Sequence, residues 1–187
     1  MRKAVFLFFL FVVIPLPSQT PEQQSDETLY YKYSADLTFG FYLFNNEVFL
    51  ETMPGLSYWP TYWMSFGMGY YYQYRKFDIQ QATDDINVHG ARATIKFFPI
   101  KEGCFVLEYR HLWYRTNLFN YPTYDYQNIQ VNSFIAGIGF IQALTDRFYI
   151  HTLILYDFFN NEKTPYSNPL IQSIIEYRFN LPSKKKK

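Results

Sequence analysis

The chain has 187 residues, a formal net charge of +1, one cysteine and an aromatic content of 22%. This length accommodates a single domain, and the small net charge gives no global field that would attract nucleic acid. The lone cysteine, Cys104, excludes an intramolecular disulfide, and the abundance of tyrosine is typical of chains that contact a membrane–water interface.

The N-terminus has the parts of an export signal. Two basic residues precede an uncharged apolar run over 4–14, and two prolines then end it. The run is shorter than the roughly 20 residues that a membrane-spanning helix needs. We therefore expect a signal peptide over 1–18, cleaved after Ser18, and then a short polar segment over 19–32. The alternative is a short uncleaved membrane anchor.

From residue 33 onward apolar and polar residues alternate with a period of two, which is typical of β-strands. Eight segments have about the length of a tilted membrane strand, roughly 9–11 residues or somewhat more. They cover 34–44, 48–59, 63–77, 88–98, 104–115, 129–142, 147–160 and 169–181. The sequence thus predicts an all-β fold, a closed antiparallel up-and-down transmembrane barrel over 33–181, with a basic tail over 182–187.

The pattern is clearest in 63–77, where bulky apolar residues alternate with smaller or more polar ones, and it is weaker in three places. Pro54 interrupts the second segment, because proline cannot donate a ladder hydrogen bond. We expect a bulge at His111 and Leu112, where the alternation blurs. The facing of the seventh segment is ambiguous.

The connections differ in length and polarity. Those after the second, fourth and sixth segments are short, whereas 78–87, 116–128 and 161–168 are longer and more polar. This asymmetry indicates short periplasmic turns and longer external loops. The first connection, 45–47, is short for an external loop.

One face of the strands combines small residues with charges. Small residues suit the crowded interior of an eight-stranded barrel. Acids and bases occur there in equal number, which favours a paired internal network, because an unpaired buried charge is costly. The predicted network contains Asp36, Glu51, Arg75, Arg92, Lys96, Glu108, Arg110, Asp157, Glu176 and Arg178. Across the turn at 99–103 we expect Lys96 to lie near Glu108 or its diagonal neighbours, within side-chain reach. An ordinary mixed-charge surface is the alternative.

The size, export signal and eight-strand pattern resemble the small outer-membrane barrels of the OmpA and OmpX type. The resemblance covers roughly 33–181, and it implies an integral location in the outer membrane of a Gram-negative cell. The aromatic ending Tyr177-Arg178-Phe179 is similar to the signal that the barrel-assembly machinery reads in such proteins. This chain departs from the pattern by continuing to Lys187.

No sequence signature of a catalytic, cofactor or metal site is present. Catalysis would have to use His89, His111 or His151 with a serine such as Ser65, Ser133 or Ser173, and the spacing does not suggest it. One cysteine and three separated histidines match no metal-ligand spacing. The candidate external interaction loop carries Phe119, Tyr121, Tyr124 and Tyr126, which otherwise belong to an aromatic belt at the lipopolysaccharide boundary.

We therefore expect a non-enzymatic outer-membrane protein with a structural or interaction role and a lumen filled by side chains. Its expected partners are outer-membrane lipid, lipopolysaccharide and the assembly machinery, with no nucleic acid and no cofactor. Two alternatives remain open, namely a lipid-modifying outer-membrane enzyme and a soluble periplasmic lipid-binding barrel.

Overall fold

The computed structural model describes residues 31–44, 47–79, 82–116, 126–166 and 168–181. The predicted signal peptide and the basic tail lie outside the described residues, as does nearly all of the polar segment between the signal and the barrel. The described residues contain no helix long and apolar enough to cross a membrane.

Eight strands form one closed sheet. They are β1 (Tyr33–Phe44), β2 (Glu47–Thr61), β3 (Met64–Ile79), β4 (Ala82–Ile100), β5 (Gly103–Thr116), β6 (Gln127–Ala143), β7 (Phe148–Asp157) and β8 (Leu170–Phe179). Each strand pairs antiparallel with the next, and β8 pairs with β1 to close the barrel. The predicted all-β, closed, antiparallel up-and-down barrel of eight strands is confirmed.

The two ends of the barrel differ. The chain enters and leaves at the terminal end, where Tyr33 of β1 faces Phe179 of β8, and the other connections there are short. We call the opposite end, which holds the connections β1–β2, β3–β4, β5–β6 and β7–β8, the loop end. The prediction of a polar loop over 78–87 at this end is wrong. β3 continues to Ile79 and β4 begins at Ala82, so that most of that segment is paired strand. A polar sequence is compatible with strand pairing, so polarity alone did not mark a loop there.

The alternation of buried and exposed residues follows β5 without a break, and the expected bulge at His111 and Leu112 is wrong. Both residues keep regular pairing with β4 and with β6. Leu112 is fully buried and belongs to an apolar cluster with Met53, Tyr71 and Val131. Leu112 points into the barrel like the polar residue two positions before it. Because the interior was assumed to be polar, an apolar residue there was mistaken for a break in the alternation.

The facing of β7 is decided by its burial pattern. His151, Leu153, Leu155 and Asp157 are buried, whereas Ile154 and its outward neighbours are not. The lumen therefore receives a histidine and a carboxylate from this strand, separated by two leucines.

Candidate functional site

A row of residues across five strands forms the centre of the lumen. In the register, Asp36 faces Gly55, Gly55 faces Gly69, Gly69 faces Arg92, and Arg92 faces Arg110. The guanidinium of Arg92 is paired with the carboxylate of Asp36, and both side chains are buried. Arg92 reaches Asp36 because the two intervening strands carry glycine.

Gly55 and Gly69 must be glycine because neighbouring atoms leave no space for a Cβ atom at either position. A Cβ atom on Gly55 would lie 2.6 Å from Arg92 Nη2 and 2.8 Å from Asp36 Oδ1. A Cβ on Gly69 would lie 2.7 Å from Arg92 Nε and 2.6 Å from the backbone oxygen of Pro54. Any side chain at these positions would occupy the space that holds the ion pair.

Glu108 neutralises two neighbouring arginines. Arg92 and Arg110 face each other in the β4–β5 register, an arrangement that is unfavourable for like charges. The carboxylate of Glu108 is paired with Arg110 Nε, and its Oε2 lies 3.8 Å from Arg92 Nη1. One buried acid therefore holds both cations together.

Lys96 and Glu108 are diagonal neighbours in the register, because Lys96 faces Val106. The ion pair that Lys96 forms is nevertheless with another carboxylate. Its Nζ lies 3.9 Å from Glu176 Oε2 on β8. The side chains of a closed barrel meet across the lumen as well as along the sheet, so the acid expected from the neighbouring strand is not the partner.

Gln172 extends the central network to the opposite wall. Its Oε1 accepts a hydrogen bond from Arg110 Nη2 at 3.3 Å, and its Nε2 donates to Glu51 Oε1 at 3.3 Å. β5, β8 and β2 are thereby linked through buried polar atoms. Such a network is stabilising only when its members are satisfied together.

A second cluster lies nearer the terminal end and is centred on Glu176. His151 Nε2 lies 3.0 Å from Glu176 Oε2, and Arg178 Nε donates to Glu176 Oε1 at 2.6 Å. With Lys96, three basic side chains surround one fully buried carboxylate. Removing a carboxylate from water is costly, so a buried Glu176 is stable only with basic partners of this kind.

Arg178 closes the terminal end of the lumen between aromatic rings. Its Cζ lies 4.2 Å from the ring centroid of Trp59 and 3.8 Å from that of Tyr149. Trp59 also stacks on Phe98 at 4.6 Å and donates its Nε1 hydrogen to Ser34 Oγ at 3.0 Å. These contacts combine cation–π attraction with packing, and they place a layer of side chains across the barrel.

The connection between β7 and β8 folds over the loop end. Tyr166 lies on Arg110, with 5.2 Å between the guanidinium carbon and the ring centroid, and it donates its hydroxyl to Asp157 Oδ2 at 3.2 Å. Burial raises the pKa of Tyr166, so the hydroxyl stays protonated as the donor that this bond needs. Gln73 Nε2 donates to the backbone oxygen of Pro165 at 3.2 Å. We call the described part of this connection, 158–166 and 168–169, the plug loop.

The other sequence-predicted residues lie as follows. Arg75 is half-buried on β3, opposite Phe49. Tyr126 is 51% exposed, and the guanidinium carbon of Arg115 lies 5.0 Å from its ring centroid. Phe119, Tyr121 and Tyr124 lie outside the described residues.

The three histidines occupy separate positions. His151 is inside the lumen beside Glu176, whereas His89 and His111 are on the outer wall, where hydrogen bonds join them to Tyr70 and Asn132 at 2.6 Å. Within the described ranges, no group of three His, Cys, Asp or Glu side chains is placed to hold a metal ion.

The sequence-based network lacked Trp59, His151, Tyr166 and Gln172, each of which contacts one of its charged members in the structure. Trp59 and Gln172 share the strand phase of Glu51 and Glu176, and His151 shares that of Asp157, so the period of two was a usable signal for these three. Tyr166 belongs to a connection, for which no periodicity exists.

Comparison with known proteins adds little beyond the fold. No protein-family model matches the chain, and no curated protein matches it. Among solved structures, it is similar to the N-terminal β-barrel domain of Pseudomonas aeruginosa OprF. The TM-score is 0.45 and the identity 12%, over 80% of this chain and 98% of that domain.

Proposed function

We propose that this chain is an integral protein of the outer membrane of a Gram-negative cell, with a sealed lumen and a structural or interaction role rather than an enzymatic one. The observation that carries the proposal is the polarity of the barrel wall. Buried side chains in the lumen form ion pairs, while large apolar side chains cover the outside.

The outer surface supports membrane insertion directly. Exposed apolar residues include Leu37, Phe39, Leu56, Met68, Leu107, Ile138, Ile154, Ile171 and Ile175, with Met68 74% exposed. A continuous apolar band of this kind is rare on a soluble monomer. Aromatic residues gather near the terminal end, among them Tyr58, Tyr62, Trp63, Phe105 and Phe148. They fit an aromatic girdle at the periplasmic interface.

A soluble lipid-binding barrel would have the opposite polarity. Its ligand would need an apolar cavity, and its outer wall would be charged. Here the centre of the lumen is occupied by Arg92, Glu108 and Arg110, all of them buried. This arrangement favours the membrane protein over the soluble alternative.

The filled lumen supports a role other than solute passage. Side chains span it from Arg178 at the terminal end, through Arg92 and Arg110, to Tyr166 at the loop end. A narrow barrel of eight strands is filled by its own side chains, unlike the wide porins. In this proposal the loop end faces outward toward lipopolysaccharide, and β8 presents Tyr177 and Phe179 to the assembly machinery.

Cell fractionation tests the location. We expect the mature chain, beginning near Gln19 by mass spectrometry, in the outer-membrane fraction, with a gel mobility that changes on boiling. Recovery in the soluble periplasm without detergent would overturn the proposal. Lipid A isolated from cells with and without the gene should be chemically identical, and a change in its acylation or substitution would favour the lipid-modifying enzyme instead.

A further inference from the structure

The outer wall of the barrel carries a groove of mixed polarity near the loop end. Its volume is about 480 Å³, and it crosses β4, β5 and β6. Eight residues line it. Tyr114 and Ile129 are buried, and the other six lie in the outward phase of their strands, namely Asn87, His89, Trp113, Arg115, Asn128 and Gln130. We call it the β4–β6 groove. Its six outward residues play no part in the luminal network of ion pairs.

The register fixes the position of the groove relative to the apolar band. Successive outward rows across β3 to β6 contain first Met68, Ala93, Tyr109 and Phe134, then Tyr70, Ala91, His111 and Asn132, and then Tyr72, His89, Trp113 and Gln130. Rows are two residues apart, roughly 7 Å along a strand. The groove therefore begins about 14 Å farther along the strands than the row of Met68, Ala93, Tyr109 and Phe134, which is roughly 10 Å in height for strands tilted by about 45°. In the membrane orientation proposed above, the groove lies on the headgroup side of that row.

A lane of small side chains leads down from the groove into the apolar band. Ala91 and Ala93 are both exposed on β4. Their neighbours on β3 and β5 in the same rows are larger. Ala91 lies between Tyr70 and His111, and Ala93 lies between Met68 and Tyr109. The lane has the form and polarity to receive an acyl chain that continues from a headgroup in the groove.

The side chains of the groove are held in place and keep binding capacity. Tyr72 donates its hydroxyl to Asn87 Oδ1 at 3.0 Å, and a 2.6 Å hydrogen bond joins Tyr70 to His89 Nδ1. Within the described part of the chain, these bonds use one polar atom of each residue and leave Asn87 Nδ2 and His89 Nε2 for a ligand. The eight residues that line the groove include a cation, Arg115, and no carboxylate.

We propose that the β4–β6 groove binds the phosphorylated sugar headgroup of an outer-leaflet glycolipid, with one acyl chain along the Ala91–Ala93 lane. Trp113 offers a flat apolar surface to a sugar ring, and the amides of Asn87, Asn128 and Gln130 match its hydroxyls. Arg115 suits a phosphate because its guanidinium forms paired hydrogen bonds with such anions. The proposal rests on the membrane location proposed above.

The test uses the purified full mature chain in phosphatidylcholine nanodiscs with or without diphosphorylated lipid A, and it measures retained lipid A by native mass spectrometry. We expect Arg115→Gln to weaken retention about tenfold, which corresponds to loss of a charge-assisted contact of about 1.4 kcal/mol. Trp113→Ala should weaken retention by a similar factor, because it removes the flat apolar surface under the sugar ring. Matched controls at the terminal end are Arg147→Gln and Trp63→Ala, which should retain lipid A like the unaltered chain. Equal retention by all five proteins would overturn the proposal.

Two further measurements test whether the bound sugar is the headgroup of a membrane lipid. Ala91→Leu fills the lane, so it should weaken retention of lipid A, whereas Ala136→Leu on the outer wall of β6 should not. A deacylated phosphorylated disaccharide should compete only weakly, and competition as strong as that of intact lipid A would overturn the membrane source. If groove variants keep lipid A but lose a larger complex on native gels, the occupant is a protein and the proposal is wrong.

The outcomes separate this inference from the proposed function. A chain that enters nanodiscs as a heat-modifiable barrel yet retains no lipid A contradicts the groove alone. A chain that remains soluble without lipid contradicts both.

Discussion

Arg92 and Asp36 form a buried ion pair across two intervening strands, although they are 56 positions apart in the chain. Between them lie Gly55 and Gly69, which face each other in the β2–β3 register. The pair therefore depends on the absence of two side chains as much as on the presence of two charges.

Gly69→Ala should lower the free energy of unfolding by about 1–3 kcal/mol, the usual cost of overpacking a filled interior. The new Cβ would lie 2.6 Å from the backbone oxygen of Pro54, which cannot move as a side chain can. Gly40→Ala is the matched control, because its Cβ would be 3.5 Å from the nearest atom. Urea unfolding in detergent measures both, and equal stability of the two variants would contradict the close contact.

Glu108→Ala should be far more damaging than a conservative change on the outer wall. Its removal leaves Arg92 and Arg110 facing each other without their shared carboxylate, and breaking a buried pair costs about 3–5 kcal/mol. Phe97→Leu, on the outward face of β4, should change stability by less than about 1.5 kcal/mol. Thermal unfolding in lipid compares them. A neutral Glu108→Ala together with a tolerated charge at Phe97 would show that the faces of the barrel are assigned the wrong way round.

Tyr166→Ala should release the plug loop. The substitution removes the contact with Arg110 and the hydrogen bond to Asp157, which hold the loop over the barrel end. We expect trypsin to cleave after the exposed Lys163 several-fold faster, as the open population rises. Tyr126→Ala, an exposed aromatic at the same end, serves as the control. Unchanged cleavage in Tyr166→Ala would mean that other contacts hold the loop.

The orientation in the membrane can be tested on intact cells. An epitope inserted within 117–125 should be labelled from outside, because it lies between β5 and β6 at the loop end. An epitope after Lys187 should be reached only once the outer membrane is permeabilised. Labelling of the C-terminal epitope on intact cells would reverse the assigned direction.

The number of strands, and the facing of every strand except β7, followed from the sequence. A strand turns alternate side chains to opposite faces, so Met64, Phe66, Met68 and Tyr70 defined the outer face of β3 without any knowledge of the sheet. The same rule assigned Asp36, Glu108 and Glu176 to the interior, where the structure buries them. The rule failed at Leu112, because it identifies a face but not the chemistry of that face at every depth.

The partners of the charged residues were decided only by the tertiary structure. Closure of the sheet brings strands together that are distant in sequence, so Lys96 pairs with Glu176 on β8 and Arg92 with Asp36 on β1. The fold of the plug loop onto Arg110 was equally out of reach, since a connection has no period to read. Alternation is a property of each strand alone, whereas pairing inside the lumen depends on register and closure, which the whole barrel sets at once.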